Sequence, residues 1–403
     1  MNEGGGITAP EGFVCGYARA GLRRAPRNDI ALIYSERPCA AAAVFTSNRL
    51  KAASIEVSAR HLLLSKFTLN AVVINSGNAN ALTGKEGVRD AERMCKETAR
   101  LLHVDTTRVA VASTGIIGVP LPMEKVLAGI RSAARRLSAS PSAASKAAEA
   151  ILTTDRVKKE TSLTASLSDG RNFTLGGMTK GSGMISPDMQ GLHATTLGFI
   201  TTDAPVERRY LQSCLDKCVE DTYNMVNIDG DMSTNDSIIV MANGRIGGPV
   251  VRKDSEFQEA LHRLLSSMAR MVAMDGEGET RMLEVHVEGA RNREVARKAA
   301  LAVVHSTLVK CAVFGGDPNI GRIASALGAS GCNINFSRLS VKIGDVPVIE
   351  SGKVMMERKR AAAAMRARTV AITIYLNSGQ SEAVAYGSDL SYDYVRINSA
   401  YST

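Results

Sequence analysis

Lys180-Gly-Ser-Gly-Met-Ile-Ser-Pro-Asp-Met-Gln-Gly-Leu-His-Ala-Thr-Thr-Leu-Gly-Phe-Ile-Thr-Thr-Asp-Ala204 changes character halfway along. Lys180 to Gly191 holds three glycines and a proline in twelve residues, the composition of a loop. From Thr195 to Thr202 the residues are β-branched and aromatic, the composition of a strand. A cationic loop feeding a strand at Ala194-Thr195 suits an amino-terminal nucleophile. Once the preceding peptide bond is cut, the threonine's own α-amine is free to act as base for its hydroxyl. The same residues also fit a plain core strand opened by a threonine.

The chain around this stretch has 403 residues, enough to bury a full core and to make two or more domains. Its 45% hydrophobic and 22% charged residues are ordinary for a globular protein. No apolar run reaches the length of a bilayer span, and the opening Met-Asn-Glu-Gly-Gly-Gly has neither a basic nor an apolar secretion segment, so a cytoplasmic protein is expected. Seven scattered cysteines read as reduced packing residues, and Cys214 and Cys218, four apart on an expected helix without a nearby histidine, make a poor zinc site. The formal charge of +9 is spread out and accompanied by only 4% aromatic residues, which argues against nucleic acid. A basic surface instead favours acidic small molecules.

Upstream, Ile30 to Tyr34 and Ala41 to Thr46 read as two strands. Ala71 to Ala81 reads as a buried strand breaking into Asn-Ser-Gly-Asn-Ala-Asn, either a turn held by asparagine side chains or an active-site loop. Residues 88–102 have helical spacing, and Val109 to Gly118 is a strand ending in Ser-Thr-Gly, where backbone N–H groups at Thr114-Gly115 are able to point into a cavity. Helices at 123–137 and from Ala143 flank Ser138–Ser142 and lead to Thr153-Thr-Asp155. Downstream, 205–223 reads as a helix capped by Asp203, and Asn227–Asp236 precedes a strand. Its three aspartates, Asp229, Asp231 and Asp236, lack the glutamate that closes a calcium loop. A helix from Phe257 to Met274 ends at Asp275-Gly-Glu-Gly278, and strands at 340–349, 369–376 and 382–386 surround a helix near 354–367.

In this order the motifs carry a resemblance. Lys-Gly-x-Gly-Met, Pro-x-Met, Ala-Thr and Thr-Asp-Ala around Thr195, Thr-Gly at 114–115 and Thr-Thr-Asp at 153–155 are joined by Asp-Gly-Asp-x-Ser-Thr-Asn-Asp at 229–236, Asp-Gly-Glu-Gly at 275–278 and Gly-x-Asp-Pro-Asn at 315–319. Over nearly the whole chain they resemble the ornithine acetyltransferases, or glutamate N-acetyltransferases, of arginine biosynthesis. The resemblance implies an α/β (α+β) fold, a layered helix-sheet-sheet-helix sandwich like the D-alanine esterases and aminopeptidases, with residues 1–281 as the core and 282–403 as a smaller α/β domain. It implies self-cleavage between Ala194 and Thr195 into chains 1–194 and 195–403, assembled as an α2β2 heterotetramer.

The implied chemistry is ping-pong transfer of acetyl from N-acetylornithine to glutamate through Thr195. By resemblance Thr114 and Gly115 form the oxyanion hole, and Thr154 (with Thr153 as the alternative match), Lys180, Thr195, Glu277, Asn398 and Thr403 bind substrate. No cofactor is required. Use of acetyl-CoA as a co-substrate is left open, since no separable phosphate-binding loop is present. Three departures stand out: Ile320 replaces an aromatic, Glu279 and Arg281 replace Ala and Lys, and Gln190-Gly-Leu-His193 are four additional residues before Ala-Thr. The last is either a bulge in the loop or a change that prevents the cut. The competing expectations are an amidase or aminopeptidase that sends the acyl group to water, and an uncut, non-catalytic binder of N-acyl amino acids.

Overall fold

The computed structural model describes residues 5–23, 26–186, 196–355 and 357–400. The strands of the first part are β1 (Phe13–Ala18), β2 (Ile30–Phe45), β3 (Thr68–Asn78), β4 (Val109–Ile116), β5 (Lys159–Ser166), β6 (Asn172–Lys180), β7 (Leu197–Thr202), β8 (Val226–Asn227) and β9 (Ser237–Ala242). Between them run the helices α1 (Ala53–Leu64), α2 (Gly84–Leu102), α3 (Met123–Ala134), α4 (Pro141–Ala150), α5 (Arg208–Asp221) and α6 (Ser255–Ala273). The remainder holds β10 (Met282–Ala290), α7 (Arg293–His305), α8 (Thr307–Gly315), α9 (Ile320–Gly328), β11 (Ser340–Ile343), β12 (Val346–Glu350), β13 (Lys353–Val354), α10 (Arg358–Ala364), β14 (Thr369–Tyr375), β15 (Ser381–Ser388) and α11 (Tyr392–Ala400).

The layering follows from β2. Two strands were expected where one runs for sixteen residues, because the chain between them makes a shift of register between Tyr34 and Cys39 rather than a turn. The first half of β2 pairs with β1 and β3, and the second half pairs with β9. The eight-stranded sheet is therefore two halves joined through β2, in the order β4-β3-β2-β9-β7-β6-β5 with β1 on β2. Side chains alternate across a strand, so each half has two apolar faces. Ile30 and Leu32, with Val73 and Val111, meet α2 and α3. Ala42 and Val44, with Ile200 and Val240, meet α5 and α6. Ala31, Ile33, Ala43 and Phe45, with Val72 and Phe199, share the core between the two halves, closed by the alanine face of α4. The result is the helix-sheet-sheet-helix sandwich.

The second sheet has the order β13-β12-β11-β14-β10-β15-β8. Its outer member β8 comes from the earlier part of the chain and runs parallel to β15. α7, α8 and α9 cover its apolar face. Two further expectations are revised here. Residues 340–349 form two strands turning at Gly344, which has a positive φ. Glu207, not Asp203, caps α5 by accepting from the Tyr210 N–H, because the helix starts later and the nearer acceptor takes the free N–H group. Asp203 accepts instead from the N–H groups of Glu11 and Thr174.

Phe257 opens α6 with no exposed surface and packs its ring 5.5 Å from that of Phe173. Phe257→Ala is expected to cost about 3–5 kcal/mol, measured as a lower midpoint in urea unfolding of the whole chain. Leu308→Ala, at a residue 57% exposed, is expected to change stability by no more than about 0.5 kcal/mol.

Candidate active site

β3 and β4 run parallel and end side by side, with Ser76 opposite Thr114 and Gly77 opposite Gly115. Gly115 has φ +135°, and a Cβ there would overlap the Gly77 backbone, so the two strand ends approach only because residue 115 is glycine. The asparagines of the following turn are spent on backbone. Asn75 donates to the Asn78 carbonyl, Asn78 to those of Val119 and Pro120, and Asn80 to that of Gly87. The turn nonetheless forms a wall, through Ala79.

A second wall is the chain entering β9. Asn235 donates its amide to the Ala79 and Ser113 carbonyls, which ties β9 to the ends of β3 and β4. Asp236 follows, and the Ser237 N–H bonds the Thr196 carbonyl at 2.8 Å, joining this wall to the start of β7. The third wall is the end of β6. Lys180 is nearly buried, and its ammonium donates to the Thr114 hydroxyl at 3.4 Å. The next N–H, that of Gly181, donates to Asp155 Oδ1 at 2.8 Å.

Behind Lys180 lies a buried ionic network. Lys159 Nζ bonds Asp155 Oδ1 at 2.7 Å and Asp275 Oδ2 at 2.6 Å, and Arg156 bonds both Asp275 and Glu279. Glu279, one of the departures noted above, is thus neutralised by Arg156 and Arg368. Burial opposes ionisation of Asp155, but the Lys180 and Lys159 charges and the Lys159 hydrogen bond outweigh it and hold the carboxyl well below the usual range. Asp236 goes the other way: burial pushes its carboxyl well above the usual range, and the Ser233 hydroxyl and Lys180 offset this only in part.

The mouth is formed by Glu277. Its N–H bonds the Ser182 carbonyl, and its carboxylate lies directly over Gly183, where no side chain would fit. Asn398, on α11, donates to Glu277 Oε2 at 2.9 Å. α11 is brought there by Gly278, whose missing side chain admits the Tyr394 backbone. Farther out, Lys310 on α8 is buried and donates to the carbonyls of Asn227, Ile228 and Ser388, pinning both the 229–236 loop and the root of α11. Desolvation pulls its pKa down to about 7.

These walls enclose a cavity of about 180 Å³, which suits a small metabolite. Of the residues marked in the sequence, Thr114, Gly115, Thr154, Lys180, Glu277 and Asn398 line it together, as do Thr153 and Thr196. Ala194, Thr195, Gln190–His193 and Thr403 lie outside the described residues. Lining or supporting residues to which the sequence assigned no role are Asn235, Asp236, Asp155 and Lys159. The signal for the first two was the run 227–236, which was weighed against a calcium loop and belongs to a motif of the resemblance, without a role for either residue. Among the described residues no group of three or more His, Cys, Asp or Glu is arranged to hold a metal, and no single helix is long and apolar enough to cross a membrane.

Comparison with known proteins agrees across the chain. Residues 14–403 match the model of the ArgJ family. The arginine biosynthesis bifunctional protein ArgJ of Symbiobacterium thermophilum is 45% identical over 406 residues, with 99% of each chain covered. That of Caldanaerobacter subterraneus subsp. tengcongensis is 43% identical over 408 residues, again with 99% of each covered. Among solved structures, an arginine biosynthesis bifunctional protein from Bacillus halodurans is 37% identical with TM-score 0.48, covering 50% of this chain and 97% of that one. The ornithine acetyltransferase of Mycobacterium tuberculosis, complexed with ornithine, is 35% identical with TM-score 0.43, covering 47% and 98%.

Removing the buried cation leaves two carboxylates facing each other. Lys159→Met is expected to cost about 3–5 kcal/mol at pH 7. Asp155 has a depressed folded pKa, so its stabilisation is present above its ordinary value of 3.8 and is lost as pH falls through the folded value. The difference between variant and wild type should therefore be largest at neutral pH and shrink on acidification, as read from unfolding midpoints across pH.

Proposed function

The chain belongs to the ArgJ family, and from that premise we propose that it is a glutamate N-acetyltransferase of arginine biosynthesis, moving acetyl from N2-acetyl-L-ornithine to L-glutamate through an acetyl-threonine at Thr195. The observation that carries the reading is one cavity lined by Thr114, Gly115, Thr154, Lys180, Glu277 and Asn398 and also by Thr196, the residue next to Thr195.

In this scheme the 194–195 bond is cut first, and the freed α-amine of Thr195 serves as base for its own hydroxyl. The hydroxyl attacks the acetyl carbonyl of N-acetylornithine. Thr114 and Gly115 supply donors to the oxyanion, and Lys180, 3.4 Å from the Thr114 hydroxyl, reinforces them. Collapse releases ornithine and leaves acetyl on Thr195. The amino group of glutamate then attacks, and the hydroxyl is restored. Lys180 is a compact cation suited to a substrate carboxylate, and its charge lowers the pKa of the nearby α-amine, which favours the neutral base. Glu277, with Asn398 beside it, offers a carboxylate for a substrate ammonium, and Thr154 and Thr403 complete the binding set. Acetyl-CoA as a second donor would make the chain bifunctional like the relatives named above. The reading includes an α2β2 assembly of the two cut chains, a cytoplasmic location, and a division into residues 1–281 and 282–403.

Intact mass of the untagged protein beside Thr195→Ala tests the nucleophile. Fragments of residues 1–194 and 195–403 are expected for the wild type, and a single 42.8 kDa chain for the variant. One chain in both would mean that Gln190–His193 has disabled the cut and would favour the binding-protein reading. Transfer of labelled acetyl from N-acetylornithine to glutamate, without net release of acetate, separates the transferase from an amidase. Thr114→Ala should lower kcat by about 100- to 1000-fold. A carboxy-terminal tag beyond Thr403 should reduce activity, whereas an amino-terminal tag should not.

A further inference from the structure

One acid in the cavity has no part in the transfer scheme. Asp236 lines the cavity with 5% of its surface exposed. Its Oδ2 is shut away from solvent and has no hydrogen-bond partner among the described residues, while the Ser233 hydroxyl bonds the carboxyl group. β7 and β9 are parallel with Leu197 opposite Ser237, and the Ser237 N–H is bonded to the Thr196 carbonyl at 2.8 Å. One step back along both strands, Asp236 stands beside Thr196. Thr195 is the next residue in the chain.

Self-cleavage needs a base that turnover does not. In the uncut chain the Thr195 nitrogen belongs to the 194–195 amide and has no free lone pair, so the amine that serves turnover does not yet exist. Three titratable side chains line the cavity among the described residues: Lys180, Glu277 and Asp236. Lys180 faces the ionised Asp155, and its nitrogen is already engaged in donating to Thr114. Glu277 is at the mouth, over Gly183, with its Oε2 taken by the Asn398 amide. Asp236 is the group beside the start of β7 that retains an unused oxygen.

We propose that Asp236 is the acid–base group of self-cleavage. Its Oδ2 takes the proton of the Thr195 hydroxyl as Oγ bonds to the Ala194 carbonyl carbon. It returns that proton to the Thr195 nitrogen as the C–N bond breaks. The product is an ester between Ala194 and the Thr195 oxygen, with a free α-amine. Water then adds to the ester, the C–O bond breaks, Ala194 leaves as a carboxylate and Thr195 Oγ regains a hydrogen, so the net change is one water added across the 194–195 bond. The upward push of burial on the Asp236 carboxyl suits both halves of this exchange, since an acid–base group works best with a pKa nearer the working pH. The inference rests on the reading of Thr195 as the nucleophile.

The test follows cleavage of the full chain by intact mass, in wild type, Asp236→Asn and Asp236→Ala, with Thr195→Ala as the folded, uncut reference for thermal melting. Asp236→Asn keeps the shape and removes the base, and cleavage is expected to slow by about 100-fold or more. Asp236→Ala opens space at the same point, so added sodium formate should restore its cleavage, which a merely structural aspartate would not allow. A wild type left uncut would remove the nucleophile reading and this inference together. A cut wild type with Asp236→Asn cut equally fast would overturn the inference alone, as would an Asp236→Ala chain that melts like the reference yet is not rescued by formate.

Discussion

Everything around the cavity hangs on a cation that never reaches it. Lys159 is buried between Asp155 and Asp275, and these three residues come from the turn before β5, from β5 itself and from the end of α6. Asp155 passes the constraint on through the Gly181 N–H, which sets where β6 ends and where Lys180 points. Asp275 passes it to the 275–279 turn and so to Glu277. A buried ion pair contributes little net stability, because desolvation consumes most of the attraction, but leaving one member unpaired is costly. Such a network therefore acts mainly on geometry, by making alternative placements of the three segments unfavourable.

Close approach is the second constraint, and glycine supplies it. The Gly77–Gly115 contact lets two strand ends touch where Thr114 turns toward the cavity, Gly183 lets the Glu277 carboxylate lie flat on the loop after β6, and Gly278 lets α11 settle against the core. Each contact joins segments distant in sequence. The last brings a chain end, ordinarily a frayed element, into the wall of a site, held by the Ser391 hydroxyl on the Gly278 carbonyl and by Asn398 on Glu277.

What the sequence made legible was local. Apolar and β-branched runs marked most strands of the sandwich, and glycine-containing strand ends marked where the walls would be, because strand ends are where side chains leave the sheet and become available to ligand. The assignments to Thr114, Glu277 and Asn398 came through motif resemblance, which already encodes convergence that spacing alone does not. Non-local consequences were not legible. The expected strands Ile30–Tyr34 and Ala41–Thr46 are one, because β2 continues through Ser35-Glu-Arg-Pro38 with a register shift as it crosses from one half-sheet to the other. Val226-Asn227 is too short to announce a strand and becomes one only against β15. Lys159 was not singled out in the sequence, and that it is buried depends on carboxylates of which one lies over a hundred residues away.

Asp155 and Asp236 carry the same chemical group into the same neighbourhood and emerge in opposite states. Both feel the Lys180 charge, and both are desolvated by burial, so neither factor separates them. The difference is the second charge, that of Lys159, which acts on Asp155 alone, together with the hydrogen bonds to the ionised form. Asp155 receives the Lys159 ammonium and the N–H groups of Gly181 and Thr153, three donors that favour the carboxylate. Asp236 has the Ser233 hydroxyl and its own backbone N–H, and one oxygen without a donor among the described residues. A carboxylate held by three donors is a fixed charge and serves to aim Lys180. A carboxyl group short of donors takes up a proton more readily than one held ionised, at the cost of an unsatisfied buried atom that a purely structural position would have lost. The loop 229–236 accepts that cost at the one aspartate that faces the cavity, while Asp229, bonded by the Met184 and Ile185 N–H groups, holds the opposite rim in place.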